Sequence, residues 1–227
     1  LLRFLFWELG LVSGFKLISF MSQPSKLEKG FTLIEVLVSL GVILVIISAV
    51  LFNQNTYLES ASITQISEEV SSSLLQAQAY GVAVKELTPG SSNFSSAYGL
   101  TFSLLGSGSN SSYLFFADRN LNTYYDNSWD CVVGGSSECL EKVNLTRNNV
   151  IQSVCAIKTN GPDECSGVSR VDVTFLRPNL EARIVFFNSS GSVYNPSNRR
   201  GARINFRSPN GLTKSVAIYE SGQISVQ

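Results

Sequence analysis

The chain has 227 residues, 44% hydrophobic and 15% charged, which is enough for one domain with an extension. Seventeen basic residues balance 17 acidic ones, so bulk charge selects neither nucleic acid nor an acidic substrate. Histidine is absent, which removes the commonest general base, the commonest zinc ligand and the usual triad partner. With no nucleophile-elbow motif either, catalysis is not expected.

Phe31–Phe52, FTLIEVLVSLGVILVIISAVLF, is a 22-residue apolar run holding one charge, Glu35. As a helix rising ~1.5 Å per residue it spans about 33 Å, close to the hydrocarbon thickness of a bilayer. Lys26 and Lys29 precede it, and Asn53, Gln54 and Asn55 follow it. That asymmetry predicts a single pass with the basic flank in the cytoplasm and the remainder outside. The small-residue cleavage site of a secretory signal does not follow the run. A plain anchor leaves Glu35 unexplained, since a carboxylate in a lipid-facing helix costs roughly 2.5–3.5 kcal/mol on insertion scales.

Lys29-Gly30-Phe31-Thr32-Leu33-Ile34-Glu35 resembles the class III signal of type IV prepilins and type II secretion pseudopilins. The resemblance implies cleavage between Gly30 and Phe31 by a membrane prepilin peptidase, followed by N-methylation of Phe31. It makes Phe31, Thr32 and Glu35 the assembly residues. The Glu35 carboxylate would meet the Phe31 amine of a neighbouring subunit, each charge easing the other's burial and fixing axial register. Other pilins or pseudopilins, the peptidase, an inner-membrane assembly platform and the membrane itself are the implied partners. The only methionine, Met21, would open a short basic leader, 21–30, of the usual pilin kind. Residues 1–20 are apolar and unlike such a leader, and are expected to be translated upstream sequence or a longer natural leader. The expected division is leader 1–30, membrane and assembly helix 31–52, amphipathic helix 53–87 and an extracytoplasmic β-rich head 88–227.

Proline is absent from Phe31 to Thr88, so no kink is expected. Ile63, Ile66, Val70, Leu74 and Leu75 recur at helical spacing, which predicts that the membrane helix continues to about Lys85. After Leu87-Thr88-Pro89-Gly90 the pattern turns to short strands bounded by Gly, Asn, Ser and Pro. The candidates are 98–104, 112–116, 150–157, 170–176, 182–187, 202–206, 214–219 and 223–226, with hairpins at Gly191, Asn210-Gly211 and Gly222. The fold class is therefore α+β: one long helix packed on antiparallel sheets. Tyr98-Gly99-Leu100, Phe116-Ala117-Asp118, Arg183-Ile184-Val185-Phe186 and Ser221-Gly222-Gln223-Ile224 resemble the GspH/FimT-type minor pseudopilins.

Cys131, Cys139, Cys155 and Cys165 contain no C-x-x-C pair, which weakens a zinc or redox reading and suits disulfides in an oxidising compartment. Of three possible pairings, Cys131–Cys139 and Cys155–Cys165 close short loops carrying turn residues; free buried thiols are the alternative. Asp118, Asn120, Asn122 and Asp126 are spaced like the first part of a calcium loop, although Thr123 replaces the usual glycine and Trp129 the closing glutamate. An ordinary Asx-rich loop has the same composition. Between Glu181 and Glu220 the chain carries Arg183, Arg199, Arg200, Arg203, Arg207 and Lys214 and no acid. Arg199, Arg200, Arg203 and Arg207, expected at a loop and strand start, are a candidate DNA-phosphate site, an acidic-neighbour contact or a solvated face.

Overall fold

A computed structural model describes residues 30–83 and 96–227. The proposed leader and its lysines, and the helix end expected near Lys85, lie outside these residues. Contacts divide the chain between Ser48 and Ala49.

A single helix, α1, covers Leu33–Val82. In its first part every residue from Gly30 to Leu51 is exposed, and Leu33–Leu51 is long and apolar enough to cross a membrane. Thr32 starts the helix by a capping geometry. Its Oγ1 accepts the Glu35 N–H at 3.4 Å, while Glu35 Oε2 lies 3.5 Å from the same hydroxyl. Ser39 and Ser48 donate to the carbonyls of Val36 and Leu44, so their hydroxyls are satisfied within the helix.

Among the described residues the second part of the chain holds the rest of α1 and ten strands. They are β1 Ala97–Ser103, β2 Ser112–Asp118, β3 Cys139–Asn144, β4 Val150–Lys158, β5 Arg170–Phe175, β6 Ala182–Phe187, β7 Val193–Tyr194, β8 Arg199–Arg207, β9 Thr213–Tyr219 and β10 Ile224–Val226. One sheet has the order β3-β2-β1-β5-β6-β7 and the other β10-β9-β8-β4, with every pairing antiparallel. The arrangement is α+β, as the hydrophobic periodicity implies.

Ile63, Ile66, Val70, Leu74 and Ala77 form the buried stripe of α1, in one core with Leu100, Phe102, Val173 and Phe175 of the six-stranded sheet and Ile204, Phe206, Val216 and Ile218 of the other. Leu75 departs from the expected stripe. It is 52% exposed, because a residue adjacent to Leu74 is rotated about 100° around the helix. Polar ties supplement the stripe. Ser73 Oγ meets Tyr113 Oη at 3.0 Å, Asn149 Nδ2 donates to Ser62 Oγ at 2.9 Å, and Gln78 Nε2 donates to the carbonyls of Leu180 and Gly222. Gly81 lets α1 approach β5 closely; a Cβ there would stand 2.4 Å from the Phe175 carbonyl oxygen.

All eight strands expected from the sequence are present, with ends shifted by a few residues; β3 and β7 are additional. The three expected hairpins form with Gly191, Gly211 and Gly222 at φ +77°, +90° and +85°, a region glycine enters without a Cβ penalty. Both expected disulfides, Cys131–Cys139 and Cys155–Cys165, are formed.

The stripe makes a clean comparison. Leu74→Ala should lower the unfolding free energy of the full chain in detergent by about 2–5 kcal/mol, the cost of a core cavity. Leu75→Ala should change it by no more than about 0.5 kcal/mol. Denaturant titration followed by near-UV circular dichroism distinguishes the two.

Candidate functional site

The first candidate is the start of α1. Phe31 is 84% exposed and the helix below it carries a predominantly apolar, exposed surface through Leu51. Glu35 is the one charge on that surface, and among the described residues no cation pairs with it. Among the described residues its side chain bonds Thr32 alone, at the long distances given above. A carboxylate held at the first turn is favoured by the helix dipole, but this supplies only about 0.3–1 kcal/mol, less than insertion costs.

The second is the excursion 119–138 between β2 and β3, which folds over the outer face of the six-stranded sheet. Tyr125 packs there with Leu114, Phe116 and Cys139, and Trp129 and Cys131 border them. Alternation along β5 puts Val171, Val173 and Phe175 in the main core and Arg170, Asp172 and Thr174 under the excursion. Asp172 is fully buried and accepts from Thr101 Oγ1 at 2.5 Å, Tyr125 N at 2.8 Å and Arg170 Nε at 2.8 Å. Arg170 also bonds the Tyr125 carbonyl and lies 4.5 Å from the centre of the Phe187 ring. The charges on β5 were readable as polar members of an alternating strand. Their pairing with a segment about 45 residues away was not.

At the end of β2 and the start of the excursion the four residues spaced like a calcium loop do come together. Asp118 accepts from Asn122 N at 3.1 Å and Thr123 N at 2.8 Å. Asn120 and Asn122 accept backbone N–H groups through their own oxygens and donate their amides to Asp126 Oδ2 at 2.8 and 3.1 Å. This is the bonding of consecutive Asx turns, and it holds Leu121 and Thr123 at positive φ. Among the described residues no group of three His, Cys, Asp or Glu side chains is placed to hold a metal. Burial pushes the Asp118 carboxyl up, against the pull of the backbone N–H groups of Thr123, Asn122 and Leu121.

Glu138, which sequence reasoning passed over, closes the excursion. It is 3% exposed and accepts from Arg119 N at 3.2 Å and Asp126 N at 3.3 Å. Burial, and then the charge of Asp126 beside it, pushes its carboxyl up to about 7. Nothing in the local sequence signals this, because its burial is created by the returning chain.

The basic cluster is less basic than it reads. Arg199 and Arg200 lie within β8 rather than in a loop. Arg199 pairs with Glu220 at 3.2 Å and Arg203 with Asp163 at 2.6 Å, so two of the four charges meet acids distant in sequence. Arg200 is exposed over the Tyr219 ring, 5.5 Å from its centre, and Arg207 is exposed.

A family model described as the prokaryotic N-terminal methylation motif matches residues 25–51. The chain therefore carries an N-terminus of the type IV pilin type, with Gly30, Phe31, Thr32 and Glu35 inside the matched residues. No curated protein and no solved structure matches the chain.

Glu138 gives the excursion a pH dependence of defined sign. Its proton is held more tightly in the folded chain than in the unfolded one. The associated stability is complete at acid pH, below the usual carboxylate range, and is lost as pH rises through about 7. Amide hydrogen exchange across 119–138 should quicken over that interval, and Glu138→Gln should flatten the profile.

Proposed function

We propose that the chain is a structural, non-catalytic filament subunit: a minor pilin or pseudopilin, of the GspH/FimT type, matured by cleavage after Gly30. The observation that carries this reading is the methylation motif followed by an exposed apolar helix whose single charge is Glu35. Cleavage exposes the Phe31 amine, and N-methylation retains its positive charge. When helices bundle, that amine on one copy meets the Glu35 carboxylate of the next. Two charges that are each costly in an apolar bundle then satisfy one another, and the contact sets how far one subunit is displaced along its neighbour.

The head stands on the far side of the membrane from the cytoplasm. Its two disulfides suit an oxidising compartment, and the basic flank ahead of the helix suits retention inside. Neighbouring subunits, the prepilin peptidase and an inner-membrane assembly platform are the partners of this activity. Docking between heads and bundling of helices are its only chemistry after maturation.

Intact mass and N-terminal sequencing of the protein from cells with and without the peptidase test the reading. The expected product begins at N-methylated Phe31 and depends on the peptidase; an uncut chain, or a cut elsewhere, sinks it. Glu35→Gln should leave membrane insertion intact and reduce recovery in sheared filaments at least tenfold, measured by immunoblot.

A further inference from the structure

Two turns close the same end of the four-stranded sheet. β4 begins at Val150 opposite Arg207, where β8 ends, and Arg207 in turn lies opposite Thr213, where β9 begins. The β3–β4 turn, 145–149, and the β8–β9 turn, 208–212, therefore stand side by side. Both touch α1: Asn149 Nδ2 donates to Ser62 Oγ at 2.9 Å and Asn210 Nδ2 to Glu59 Oε1 at 2.6 Å. The β9–β10 turn marks the opposite end, where Gln78 reaches the Gly222 carbonyl, about 24 Å further along the helix.

The first of these ends carries unbalanced positive charge. Arg147 and Arg207 are exposed and Lys214 is half-buried, and none has an ion-pair partner among the described residues. Arg207 reaches the tip of its hairpin, since a Cβ on Gly211 would stand 3.7 Å from a guanidinium nitrogen. Segments 145–149 and 207–214 contain no acidic residue. Glu59, the acid of α1 that bonds Asn210, leaves the sum positive. At the opposite end Arg199 is neutralised by Glu220.

The basic end is also the one nearer the membrane run along α1. Leu51 closes that run and, like Glu59, belongs to the second part of the chain. The helix rises about 9 Å from Leu51 to Tyr57 and about 12 Å to Glu59. A headgroup layer is roughly 5–8 Å deep on each side of the hydrocarbon, and charges act over about 8–10 Å at ordinary salt. Tyr57 is 79% exposed, and Leu58 and Leu212 are exposed as well. Tyrosine suits the boundary between headgroups and water, with its ring among apolar groups and its hydroxyl wet.

We propose that the end of the head formed by Arg147, Arg207 and Lys214 docks on anionic phospholipid headgroups of the membrane that α1 crosses. Lipid phosphates complement the guanidinium and ammonium groups in charge, and the helix keeps that one surface within reach by covalent connection. Each basic side chain near an anionic leaflet strengthens attachment by about fivefold. The contacts hold the head on the leaflet before assembly and are given up when the helix is withdrawn into a filament. The proposal rests on the reading of Leu33–Leu51 as a membrane span.

The test reconstitutes the full chain in vesicles of phosphatidylcholine, alone or mixed with phosphatidylglycerol. A photo-crosslinking residue replaces Thr213 at the basic end, Ser221 at the opposite end, or Val38 in the membrane helix, and lipid adducts are counted by intact mass. Expected are Val38 adducts in both vesicles, few Ser221 adducts in either, and about fivefold or more Thr213 adducts in the anionic vesicles than in the neutral ones. High salt, and separately Arg147→Gln combined with Arg207→Gln and Lys214→Gln, should return Thr213 to its level in neutral vesicles. Thr213 adducts equal in the two compositions, or an excess that survives high salt, overturn the proposal. The salt comparison needs none of the three substitutions, so it decides even where the triple variant fails to fold. Absence of Val38 adducts shows that the apolar run does not enter the bilayer, and removes the membrane reading together with the proposal.

Discussion

The stripe Ile63, Ile66, Val70, Leu74 and Ala77 is the surface on which both sheets of the head depend. Each sheet contributes one apolar face, and residues of both faces belong to the same buried cluster as the stripe. Burying a Leu or Ile side chain contributes roughly 1.5–3 kcal/mol, so five helical positions outweigh any one polar tie around them. The ties have a different effect. Ser73 to Tyr113, Ser62 to Asn149 and Gln78 to two carbonyls each tolerate one rotation and one height of the helix, which apolar contact alone leaves soft. Gly81 adds a steric condition at the helix end, where the Phe175 carbonyl leaves no room for a Cβ.

Much of this was legible because it is local. The helix stripe is a 3.6-residue period and the eight expected strands are alternations between turn residues, and both patterns are properties of adjacent positions. β3 escaped notice because Glu141 and Lys142 interrupt its alternation and a register shift occurs opposite Phe115 and Phe116. β7 is two residues long and has no period to read. The same distinction separates the sites. Gly30, Phe31 and Glu35 stand in one contiguous motif. The pairing of Arg203 with Asp163, of Asp172 with the Tyr125 amide and of Glu138 with Arg119 N joins residues that only the folded topology brings together. A basic run in a sequence is therefore a weak guide to surface charge, since a sheet sets distant acids beside it.

Glu35 and Asp172 show what context does to a carboxylate. Glu35 lies in an apolar run, and Asp172 on a strand whose residues alternate between apolar and polar. Asp172 has an arginine, a hydroxyl and a backbone N–H within its own chain, so its burial is compensated internally and its effect is to fasten the 119–138 excursion. Removing one partner of such a buried pair costs about 3–5 kcal/mol. Among the described residues Glu35 has the Thr32 hydroxyl as its side-chain partner, at the limit of bonding distance.

The edges of the two sheets are closed by the head's own backbone and charges. β3 carries exposed Glu141 and Lys142, β4 is bonded by Asn110 O near one end and by Glu164 near the other, and β10 is three residues long. Charge, cover and brevity are the usual means by which a sheet avoids pairing with another chain. β6 is closed by the chain itself: Phe186 pairs with Tyr194 of β7, Ala182 N donates to Glu220 O, and Ile184 between them is buried.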